Sequence, residues 1–137
     1  MKKLIIVLAL AILLVVPSAA CGGSASVDIF FPVQKSGDLN QMTADVSGNL
    51  ELVDDWLRLE SSGDSYLLVW PYGFSVRGEG GEIQVLDGDG QVVAVVGGAI
   101  TVGGGETTVE IAESYAGKSF SGEVDGPFWI VSEVVSD

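Results

Sequence analysis

A mainly β fold, either a compact antiparallel barrel of OB-like type or a sandwich of about seven short strands, is what this sequence predicts. Three observations carry that expectation. Apolar and polar residues alternate over short runs, turn-forming residues punctuate the chain at close intervals, and at most one stretch, near residues 107–117, has the marks of a short helix.

Val46, Gly48, Leu50 and Leu52 alternate with Ser47, Asn49 and Glu51, the pattern of a strand with one face on a core. Asp54-Asp55 makes a turn, and Leu57 and Leu59 then alternate with Trp56, Arg58 and Glu60. Ser61-Ser62-Gly63-Asp64 turns into residues 65–70, which are apolar on both faces and so expected in a central position. Pro71-Tyr72-Gly73 breaks this strand; residues 74–77 resume it briefly before Gly78-Glu79-Gly80-Gly81. Residues 83–86 and 91–96 flank Asp87-Gly88-Asp89-Gly90, a strong hairpin signal because Asp-Gly tolerates the positive φ of tight turns. Gly97-Gly98 leads to residues 99–102, a strand expected to end at Gly103-Gly104-Gly105. Thr107 stands three residues before Glu110, a capping-box spacing, and Gly117 supplies a C-terminal stop. Val109 and Ile111 between them also fit a strand. Asp125-Gly126-Pro127 turns into the last strand, residues 128–135. In an OB barrel the usual helix lies between the third and fourth strands, whereas this one precedes the final strand.

Ahead of this domain, placed at residues 45–137, the chain reads as an address. Lys2 and Lys3 precede an unbroken apolar run over residues 4–16, which Pro17 ends before the small residues Ser18-Ala19-Ala20 and then Cys21. The run is shorter than the roughly 20 apolar residues that a membrane-spanning helix needs. Residues 1–20 are therefore expected to be a cleaved signal peptide, and residues 21–44 a tether in which Ile29-Phe30-Phe31 can dock on the domain. Pro17-Ser18-Ala19-Ala20-Cys21 resembles a bacterial lipobox, with Ser18 where an aliphatic residue is commoner. That resemblance implies diacylglycerol on Cys21 and attachment to a membrane outside the cytoplasm. Cys21 is the sole cysteine, so no intramolecular disulfide competes for it. An ordinary signal-peptidase cut at the same bond would leave a free thiol instead.

Past residue 20 the chain carries Lys35, Arg58, Arg77 and Lys118 against 19 acids, a formal charge of −15. Such a surface repels nucleic acid and anionic headgroups, which sets nucleic-acid binding aside. The chain has no histidine, which removes Ser-His-Asp and Cys-His catalysis and the imidazole ligands usual for catalytic zinc. A catalytic reading would need two carboxylates from turns such as Asp54-Asp55 and Asp64, and no spacing sets these across a substrate. In the Asp87-Gly88-Asp89-Gly90 loop, Gln91 and Val92 stand where an EF-hand needs an oxygen ligand and a glycine. It is read as a hairpin turn, with no metal or cofactor expected. Gly117-Lys118-Ser119 lacks the upstream glycine of a phosphate loop, that position being Ala112.

Trp70-Pro71-Tyr72-Gly73-Phe74 gathers aromatics around a rigid turn, and such neighbours favour a cis proline. Facing outward they would stack on a sugar or a peptide; facing inward, the favoured reading, they close one end of the barrel. Trp56 alternates opposite Leu57 and Leu59, so it is either exposed or covers a satellite cluster. Trp56, Trp70, Tyr72 and Phe74 are thus the candidate ligand contacts. YLLVWPYGFSV, IQVLDGDGQVV and the closing GPFWIVSEVV resemble segments of small bacterial lipoproteins with all-β exported domains. The resemblance implies an exported lipoprotein and transfers no catalytic residue. Members often carry a cysteine pair in the domain that this chain lacks. The residues themselves favour a non-catalytic binding or interaction module for a small ligand or an envelope protein, with a small carboxylate-dependent envelope hydrolase or a purely structural envelope protein as the alternatives.

Overall fold

The computed structural model describes residues 29–37, 42–120 and 126–135. The signal-like run, Cys21 and the Gly22-Gly23 region lie outside the described residues. The first three strands, β1 (Ala44–Val53), β2 (Trp56–Ser61) and β3 (Asp64–Val69), form two tight hairpins. Each turn places its central residues in the left-handed region: Asp54 and Asp55 at φ 50 and 65, Ser62 and Gly63 at φ 48 and 89. That backbone hand matches the twist of the flanking strands, so these polar residues also set the register of Val53 on Trp56 and of Ser61 on Asp64.

A three-stranded meander follows, β4 (Ser75–Glu79), β5 (Glu82–Leu86) and β6 (Val92–Val95), and it occupies the place of the usual OB helix. The chain then returns as β7 (Ala99–Thr107), α1 (Val109–Ala116) and β8 (Phe128–Val135). Strands β1-β2-β3-β8-β7 close a barrel. Counting barrel strands in chain order, this is 1-2-3-5-4, the OB-like Greek-key order. Its seams are antiparallel except one. β8 lies parallel to β3, pairing Leu67 with Phe128 and Val69 with Ile130, so the barrel is not wholly antiparallel as the sequence suggested.

Two further details differ from the sequence reading. Gly103-Gly104-Gly105 does not end its strand. It continues β7 through a bulge against β8, because Gly104 lets the two backbones approach: a Cβ there would lie 1.7 Å from the Ile130 carbonyl oxygen. The helix is capped at Thr108, whose side chain makes no cap bond, so Thr107 and Glu110 form no capping box. Gly117 does stop α1, at φ 70, with its N–H donated to the Glu113 carbonyl.

Two apolar layers follow from the alternation. Leu50, Leu57, Leu59, Leu68, Trp70, Ile100, Val102, Trp129 and Val131 fill the barrel, and Val85 and Ala94 of the meander join them. On the outer wall of β3 and β8, Leu67, Val69, Phe128 and Ile130 pack under Ala112 of α1 and Phe120. β3 is therefore covered on both faces, as its continuous apolar run required.

Residues 29–37, within the stretch read as a tether in which Ile29-Phe30-Phe31 can dock, form a strap packed on the barrel. Phe30 bridges to Trp56 and Val33 to Trp70, while the Trp70 N–H donates to the Pro32 carbonyl. Alternation works here too: Ile29, Phe31 and Val33 meet the interior cluster, and Phe30 meets the outer one. The buried Gln34 side chain donates to the Val131 carbonyl, beyond the last β3–β8 backbone pair. It thereby satisfies an acceptor that the end of β3 leaves open.

Candidate functional site

The barrel wall made by β1, β7 and β8 carries a polar cleft of about 240 Å³, lined by Met42, Thr43, Ala44, Asp45, Gly103, Ser132 and Glu133. Register builds it. Asp45 lies opposite Gly103, and Gly103 opposite Glu133, so the two carboxylates flank a position with no side chain. The bulge between Gly103 and Gly104 leaves Ser132 without a ladder partner, because Gly104 pairs with Val131. Val131 and Val134 both meet the interior cluster. Two successive residues, Ser132 and Glu133, consequently share the outer face. A Cβ on Gly103 would meet Glu133 Cγ at 3.0 Å, Ser132 Oγ at 3.2 Å and Asp45 Oδ1 at 3.3 Å. The absent side chain is what leaves room between them. Ser47 and Thr101, one row further along the same face, share a hydrogen bond of 2.6 Å between hydroxyls. Chemically, this surface offers carboxylate acceptors and hydroxyls to a cationic or hydrogen-bond-donating group.

The aromatic residues singled out from the sequence do not form one surface. Trp70 is fully buried and cannot meet a ligand from solvent; its ring stacks between Phe31 at 5.3 Å and Phe74 at 6.4 Å. Its Nε1 finds no hydrogen-bond partner among the described residues. Trp56 is half-buried and stacks on Phe30 at 4.5 Å, so it covers the satellite cluster on the outer wall. Tyr72 alone projects, 63% exposed. The cis X–Pro bond among the described residues is Gly126–Pro127, not Trp70–Pro71.

The acidic turns are also separated. Asp54 and Asp55 lie at the strap end of the barrel, and Asp64 opens β3 at the other end, so these three do not converge. The Asp87 carboxylate accepts the N–H groups of Asp89 and Gln91 at 2.9 and 3.0 Å, closing its own hairpin turn. Among the described residues no three His, Cys, Asp or Glu side chains gather as a metal-binding group. Lys118, past the end of α1, lies over the Phe30 ring at 5.3 Å. Burial, then the negative charges of Asp64 and Glu106, push the Tyr66 hydroxyl above its ordinary value of 10.0.

Asp45, Ser132 and Glu133 were not singled out from the sequence. They come from two strands some ninety residues apart, joined across β7 by a register that includes a bulge. The outward alternation of Asp45 with Ser47 was the only local signal. Comparison with known proteins finds no matching family model, no similar curated protein and no matching solved structure.

Proposed function

We propose that the chain is an exported lipoprotein, held to a membrane outside the cytoplasm by lipid on Cys21, whose barrel is a non-catalytic binding module. The observation that carries this reading is the order of the N-terminal residues. A dilysine start, an apolar run too short to span a bilayer and a small-residue patch lead directly to the sole cysteine. No helix among the described residues is long and apolar enough to cross a membrane, so attachment would rest on the cysteine. Stable anchoring by lipid requires more than one acyl chain, which diacylglycerol satisfies.

Binding is favoured over hydrolysis because the chain has no histidine and, among the described residues, the turn acids Asp54, Asp55 and Asp64 do not converge. The flank formed by Asp45, Ser132 and Glu133 is the surface we assign to a small ligand or an envelope protein partner. With a formal charge of −15 past residue 20, the surrounding field favours a partner bearing ammonium or guanidinium groups.

The test is the intact mass of protein purified from the membranes of a bacterial host. A species beginning at Cys21 with added diacylglycerol, with or without an N-acyl chain, is expected. An unmodified chain beginning at Cys21 and recovered from the medium would sink the reading.

A further inference from the structure

The two ends of the barrel are unlike. The β2–β3 turn, with the exposed Ser62 and Gly63, lies at one end. The strap crosses the other, from the carbonyl of Asp55 to Trp70. Among the described residues, Leu52, Val53, Tyr72, Val92, Val135 and Ile111 are the exposed large hydrophobics. Leu52, Val53, Tyr72 and Val92 belong to the strap end, whereas Ile111 lies on α1 and Val135 pairs with Thr101 on the wall that carries the cleft. Leu52 and Val53 finish β1 beside the strap, and Tyr72 follows Trp70. Val92 flanks the β5–β6 turn, whose Gly88 Cα would lie 3.6 Å from a Cβ on Gly73.

Building on the lipid anchor proposed above, we infer that the strap end is the face turned to the bilayer, with Leu52, Val53 and Tyr72 entering the headgroup layer. The eight peptide links between Cys21 and Ile29 span at most about 29 Å when fully extended. As a flexible chain they span on the order of 16 Å, while a domain of this size is roughly 30 Å across. The membrane therefore meets the strap end first, and the exposed apolar side chains are concentrated there. Lys35 and Lys118, where the strap meets the end of α1, offset Asp54 and Asp55. Asp87 and Asp89 of the neighbouring turn leave the face with excess negative charge. The contact is accordingly one of apolar tips with a zwitterionic surface, not attraction to anionic lipid. Tyrosine suits it, with an apolar ring and a polar tip.

The experiment uses full-length lipidated protein in phosphatidylcholine vesicles. Because lipid blocks Cys21, a cysteine introduced by Val53→Cys, Tyr72→Cys or, at the far end, Asp64→Cys is the one free thiol for a fluorophore. Against the same proteins in detergent-free buffer after lipase release, iodide quenching at positions 53 and 72 is expected to fall by about half or more in vesicles. Position 64 is expected to stay unchanged. Equal quenching at all three positions, in protein whose mass shows the lipid, overturns the orientation and leaves the anchor standing. A mass without lipid removes the anchor and the orientation with it. Protection at 53 and 72 that persists after release and grows with protein concentration assigns the face to a second copy and also overturns it. Two independently labelled positions guard against one variant failing to fold.

Discussion

At the scale of single residues, the adjacent glycines of β7 serve different ends. Gly104 sits at φ 145, where a Cβ would overlap the Ile130 carbonyl oxygen, a backbone atom that cannot move aside. Gly104→Ala is expected to lose about 3 kcal/mol or more in urea unfolding, from strain and overlap together. Gly103 meets only flexible side chains, at 3.0–3.3 Å, so Gly103→Ala should lose no more than about 1 kcal/mol while filling the cleft. Equal losses would contradict this division. Tyr66 supplies a pH dependence. Its phenol is held neutral in the fold by burial and by Asp64 and Glu106, so the folded value lies above the ordinary 10.0. The unfolded chain therefore releases this proton first as pH rises, and the contribution of Tyr66 is full below pH 10 and lost progressively above it. Thermal melts from pH 8 to 11 should show a smaller alkaline decline for Tyr66→Phe than for the parent protein.

At the scale of elements, the strap is a secondary structure that the alternation rules only half reveal. Gln34 is buried, and its side-chain amide donates to Val131 where β3 has stopped. Gln34→Ala should destabilise by about 1–3 kcal/mol, the cost of leaving a buried carbonyl unpaired. Hydrogen exchange should quicken at Trp70, whose N–H is held by Pro32. An unchanged exchange rate there would show that the strap holds without Gln34. The elements most legible in the sequence were those governed by local chemistry. Leu57 and Leu59 against Trp56 and Arg58 defined both faces of β2, Asp54-Asp55 marked a hairpin, and residues 128–135 gave the last strand to the residue. Gly103-Gly104-Gly105 misled because glycine serves close approach as well as turns, and only the partner strand distinguishes the two uses. The cleft was illegible for a related reason. Asp45 and Glu133 meet through the register of three strands and one bulge, and no short window of sequence contains that information. Trp70 was ambiguous because the ring it stacks on, Phe31, comes from a distant segment, and no local pattern pairs the two.

For the whole molecule, the charge balance sets the conditions under which the fold is strongest. An excess of acids this large opposes compaction, and few cations relieve it: Arg77 pairs with Glu79 at 3.0 Å on a partly exposed surface, a contact worth little in water. Screening should help more than any one ion pair. Raising salt from 20 mM to 0.5 M is expected to raise the melting temperature by several degrees, as the Debye length shortens from about 20 Å to about 4 Å. A melting temperature indifferent to salt would mean that the acids are spaced widely enough not to feel one another. The acids of the polar flank, Asp45 and Glu133, belong to this field, whereas the exposed apolar residues Leu52, Val53 and Tyr72 lie at the strap end.

The order of the barrel strands also sets a schedule. β8 supplies two of the five seams, one to β3 and one to β7, and follows all the other barrel strands in the described chain. Until it arrives, the β1–β3 meander has an open edge at Leu67 and Leu68, and the inner leucines have no far wall. A chain that emerges N-terminus first thus completes its barrel only when residues 128–135 are available. On the export proposed above, any delay in placing residues 128–135 would favour an open barrel over a closed one.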